Sequence, residues 1–117
     1  MQLPNKEKAY VDRKKLTGYL LAESHPVGRT KARVFRKMGF SREEAELLEE
    51  AILSIANFQD VVELTRSKFG TKYVVDGQLQ GPTGNAFHIR TVWIIEKGEE
   101  IPRFITAYPL LERGNKK

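Results

Sequence analysis

The chain has 117 residues, of which 40% are hydrophobic and 30% charged, with a formal charge of +5 and no cysteine. That length fits one domain with a real core, expected to span 1–117. The composition excludes disulfide stapling and cysteine metal sites, and no apolar run approaches the ~20 residues needed to cross a bilayer.

The N-terminal stretch MQLPNKEKAYVD is too polar for a signal peptide, and together with the missing cysteines this fits a cytoplasmic protein. Charge is unevenly spread. Residues 1–40 hold ten basic and three acidic side chains, residues 41–60 one and six, and residues 61–117 nine and six. Such a dipolar molecule can attract a polyanion to its basic side.

The spacing predicts a helical part over 12–57. Asp12 can cap a first helix of 13–22, with Leu16, Tyr19 and Leu20 turned inward. SHPVG breaks it, and RTKARVFRKM reads as a second helix with Ala32, Phe35 and Met38 on one face and Gly39 as its left-handed stop. SREE is a capping box opening a third helix at Ser41. Its apolar stripe is Ala45, Leu48, Ile52 and Ile55, widened by Leu47 and Ala51. Its acids read as a solvated face.

After Asn57 the period changes to two. Strands are predicted at 60–67, 71–79, 86–95 and 103–108, separated by FGTK, GPTGN and EKGEE. Connectors this short require antiparallel neighbours. The expected fold is α+β: three N-terminal helices packed on a four-stranded antiparallel meander over 60–109, then a polar tail at 112–117.

The second helix starts Arg29, Lys31, Arg33. Cations are disfavoured at the positive end of a helix dipole unless an anion is present, and backbone N–H groups there suit phosphate. A solvated basic face is the plainer alternative. His25 lies at the mouth of this stretch and is a candidate general acid or base. Cleavage of RNA through its 2′-hydroxyl needs a proton acceptor, a proton donor and cations, with no metal. His25 with Lys31 or Arg29 can supply part of that set.

In FHIRTVWII, alternation puts His88, Arg90, Val92 and Ile94 on one face, opposite Phe87, Ile89, Thr91, Trp93 and Ile95. Arg90 among branched aliphatics needs a partner, either a structural carboxylate or a ligand. Trp93 reads as core, and His88 as exposed beside a turn. In PRFITAYP, alternation groups Phe104, Thr106 and Tyr108 against Arg103, Ile105 and Ala107. A Thr106–Tyr108 hydroxyl pair can orient phosphate or water. Lys72, beside the FGTK turn, is a further phosphate contact or simply an exposed lysine. No phosphate-loop, dinucleotide, zinc-protease or nucleophile-elbow motif is present, so no cofactor is expected.

HPVGRTKARVFRKMGFS, GTKYVVDGQLQGPTGN, RTVWII and PRFITAYP together closely resemble a family of small uncharacterised bacterial domains, a domain of unknown function. Some members lie beside a second small gene in the manner of toxin–antitoxin pairs, and related domains end polymorphic toxins. The element order is also similar to the barnase–EndoU–colicin–RelE ribonucleases, whose open sheet face carries a dispersed set of polar residues. That resemblance implies a metal-independent endoribonuclease-like toxin domain. His25 and Lys31 would be catalytic, Arg90 would stabilise transition-state charge, and Thr106 and Tyr108 would orient the phosphate. Arg29, Arg33 and Lys72 would bind the backbone. The implied partners are RNA and a small cognate antitoxin-like protein. Several of those ribonucleases use two histidines, and His88 matches none of their motifs. The alternatives are a nucleic-acid-binding module without catalysis, and a protein-interaction module docking through the acidic helix or a sheet edge.

Overall fold

The computed structural model of the chain describes residues 1–16, 35–36, 38–40, 42–84 and 86–110. A single turn, α1 (Arg13–Lys15), follows a 3-10 turn at Lys6–Lys8. A second 3-10 turn, Arg42–Glu44, leads into α2 (Ala45–Phe58). Four strands complete the chain: β1 (Val61–Ser67), β2 (Gly70–Gln80), β3 (Ala86–Glu96) and β4 (Arg103–Pro109). The strands form one sheet in the order β1-β2-β3-β4, every pair antiparallel. The predicted meander holds, with strand ends within a residue of expectation.

The period-two pattern divides the sheet cleanly. Tyr73, Val75, Gly77 and Leu79 of β2 and Ile89, Thr91 and Trp93 of β3 are buried on the inner face. Against them α2 turns Ala45, Leu48, Ile52, Ile55 and Ala56. Gly77 permits the close approach, since a Cβ there would lie 3.1 Å from both Ile55 Cγ1 and Gln59 Cγ. Leu47, expected to widen the stripe, is half exposed instead.

The N-terminal segment crosses from one sheet edge to the other. The Val61 amide donates to the Met1 carbonyl at 2.7 Å; Tyr10 donates to Pro102 at 3.2 Å and accepts from Phe104 at 3.0 Å. Leu3, Val11 and Leu16 join the core on the way.

The expectation of three N-terminal helices is overturned. Among the described residues α2 is the one helix longer than a turn. Asp12 does cap α1, accepting from the Lys14 amide at 3.0 Å, and Leu16 is fully buried as expected. The described part of that helix is the single turn Arg13–Lys15, and residues 17–22 of the expected helix lie outside the described residues. Of the second predicted helix, Phe35 and Arg36 are helical, and the stretch from His25 to Arg33 lies outside the described residues. Gly39 has φ 100°, and the Phe40 amide reaches back to the Phe35 carbonyl at 3.0 Å, so the expected helix stop is present. The third predicted helix begins as a 3-10 turn, and α2 proper starts at Ala45 with no side-chain cap from Glu44.

The alternation expected for β4 is also corrected. Val92 pairs with Thr106 and Trp93 with Phe104, so Ile105 is an extra residue, a β-bulge. Phe104 and Ala107 therefore both face the core, while Arg103, Thr106 and Tyr108 face outward.

Candidate functional site on the open sheet face

The outer face is built in rows of cross-strand neighbours, whose Cβ atoms sit roughly 4.5–5.5 Å apart. One row is Asp76–Arg90–Tyr108, another Val74–Val92–Thr106, and His88 stands opposite Gln78 one step further along β3. Arg90, Thr106 and Tyr108 are half-buried and His88 is exposed. These four side chains share one face within two rows of one another. Lys72 is exposed opposite Ile94, on the same face.

Arg90 has the partner that its setting demands, and it is a carboxylate. Its Nε donates to Asp76 Oδ1 and its Nη2 to Asp76 Oδ2, each at 2.9 Å. This fork-to-fork pairing fixes the plane of the guanidinium. The Arg90 pKa is pushed above its usual value, first by the hydrogen bonds it donates to Asp76; burial pulls the other way, and the Asp76 charge and the Tyr108 side chain reinforce the shift. The group is a permanent cation whose position is set by β2 on one side and β4 on the other. The Tyr108 side chain also hydrogen-bonds the guanidinium, and the N–H groups beyond these contacts are the ones left for an anion.

Asp76 and the proximity of His88 to this row were not singled out from the sequence. A signal existed. Centring the GPTGN hairpin on Thr83 pairs 80 with 86 and hence 76 with 90, which is the register observed. Trp93 is wholly buried, edge-on to Phe104 with ring centroids 5.4 Å apart, and its indole N–H donates to Thr91 Oγ1 at 2.8 Å. It is core, as expected. His25, Arg29, Lys31 and Arg33 lie outside the described residues. Among the described residues no group of three or more His, Asp or Glu side chains is placed to hold a metal, and no helix is long and apolar enough to cross a membrane.

A family model described as a domain of unknown function, DUF6883, matches residues 2–111. The chain belongs to the DUF6883 family. The resemblance read from its sequence blocks therefore holds. No curated protein matches this DUF6883 chain. Among solved structures it is similar to a chain of a contact-dependent growth inhibition toxin–immunity protein complex from Klebsiella pneumoniae 342. The TM-score is 0.72 at 21% identity, covering 92% of this chain and 97% of the other. At that identity the likeness is one of fold.

Proposed function

We propose that the open sheet face is a metal-independent RNA phosphodiester site, and that the chain is the toxin-like half of a two-protein system acting in the cytoplasm. The observation that carries this reading is the gathering of His88, Thr106 and Tyr108 around a guanidinium already oriented by Asp76. The fold shared with a chain of a toxin–immunity complex supports it, as does the basic stretch Arg29–Lys31–Arg33, which suits the RNA backbone together with Lys72.

In this mechanism His88 takes the proton of a ribose 2′-hydroxyl. The O2′–P bond forms as the P–O5′ bond breaks, leaving a 2′,3′-cyclic phosphate. The departing 5′-oxygen receives a proton from a second group, for which Tyr108 on this face and His25, assisted by Lys31, are the candidates. Arg90 donates to the non-bridging oxygens as charge builds there, and Thr106 orients the phosphate. The matching partner is a small protein that covers this face.

Purified chain is incubated with total RNA in EDTA. The expected result is fragments ending in cyclic phosphate, slowed ~100-fold or more by His88→Ala and on the order of 100-fold by Arg90→Ala. RNA that stays intact at enzyme excess, with or without chelator, overturns cleavage. Salt-dependent binding without cleavage would then identify a nucleic-acid-binding module.

A further inference from the structure

At the far end of the same face lies a hollow of about 330 Å³ lined by Tyr10, Ile94, Glu96, Glu99, Ile101 and Arg103. Its volume falls at the lower end of small-molecule sites, ~300–1,000 Å³. Ile94 and Arg103 are a cross-strand pair, and Ile94 follows Arg90 and Val92 along the outward side of β3. The hollow is thus four residues from Arg90, ~13 Å at the rise of a strand. A short stretch of single-stranded nucleic acid spans that distance.

The lining is mixed, with Tyr10, Ile94 and Ile101 aromatic or apolar and Glu96, Glu99 and Arg103 charged. Tyr10 is 48% exposed. Its backbone is pinned between Pro102 and Phe104, so the ring is presented from a fixed point. Ile94 and Ile101 supply further apolar surface. Arg103 donates to Glu96 Oε2 from Nε at 2.9 Å and from Nη2 at 2.6 Å, which neutralises that carboxylate and immobilises the arginine. Glu99 adds a negative charge. Such a hollow disfavours a phosphate and favours an uncharged planar group able to stack and to offer hydrogen-bond donors.

We propose that this hollow is a nucleobase subsite: Tyr10 stacks on one base of an RNA strand whose scissile phosphate lies at Arg90, and the Glu96 and Glu99 carboxylates accept from an exocyclic amine. The subsite rests on the reading of the open face as an RNA site, and it adds a reason for that site to prefer amine-bearing bases. Carboxylates accept such donors in base recognition generally, and aromatic side chains are the usual platforms for unpaired bases.

The probe is a single-stranded, cytidine-rich oligonucleotide with 2′-O-methyl riboses, which cannot be cleaved through the 2′-oxygen. It is compared with copies carrying one abasic position at a time. The wild-type chain should lose about tenfold in affinity at one position, Tyr10→Ala should bind intact and abasic strands equally weakly, and Tyr10→Phe should retain the difference. Should Tyr10→Ala fail to fold, Ile101→Ser, which also alters the lining of the hollow, should reproduce the loss of the abasic penalty. An abasic penalty unchanged in Tyr10→Ala, or absent from the wild type, overturns the subsite. A Tyr10-dependent penalty in a chain that cleaves no RNA keeps the subsite and removes the cleavage reading. Cleavage of RNA with no abasic penalty does the reverse. A chain that does not bind the probe at all removes the subsite.

Discussion

The two faces of strand β3 make opposite use of the same backbone. The inward residues Ile89, Thr91 and Trp93 are sealed from water, and their polar atoms are paired internally: Trp93 donates to Thr91 Oγ1, which itself donates to the Val75 carbonyl at 2.7 Å. The outward residues His88, Arg90 and Val92 are exposed or half-buried, and Arg90 is held by an ion pair with Asp76. One side is arranged to be stable without a ligand. The other holds a cation in place with donors to spare. Position parity along this strand therefore separates residues that hold the fold from residues available for chemistry.

That separation can be broken by substitution. Trp93→Ala empties the largest fully buried side chain and should cost about 3–5 kcal/mol, read as an early urea midpoint. Thr91→Val keeps the shape but strands the indole N–H, and a loss of about 1–3 kcal/mol is expected from the same titration. Across the sheet, a double-mutant cycle with Asp76→Asn and Arg90→Met should return a coupling of only about 1 kcal/mol, because the pair is partly open to solvent. Were the outward pair to cost as much as Trp93, Arg90 and Asp76 would belong to the scaffold and the division between faces would collapse.

Much of this was legible in the sequence. Alternation in FHIRTVWII assigns both faces of β3 correctly, and the Ala45–Leu48–Ile52–Ile55 stripe identifies the inward side of α2. Asp12 marks the start of the first helical turn correctly. The expectation of three full helices rested on local spacing, and local spacing is silent about the N-terminal segment, whose Met1 and Tyr10 backbone groups are taken by distant parts of the chain. The Arg90 partner needed hairpin register as well as period, since Asp76 is polar on an outward position and looks like any other solvated acid. His88 was already on the face of Arg90 by alternation. What the sequence lacked was the cross-strand register that places it one row from Tyr108.

The extra residue at Ile105 has a consequence for how such a protein can change. Phe104, Thr106 and Tyr108 have the same parity, and in a regular strand all three would answer to one environment. The bulge decouples them, so Phe104 is constrained by its packing on Trp93 while Thr106 and Tyr108 stand on the outer face, Tyr108 against the Arg90 guanidinium. Selection can then retune the outer pair for a new ligand without disturbing the core residue beside it. One inserted residue makes the strand two independently evolving surfaces.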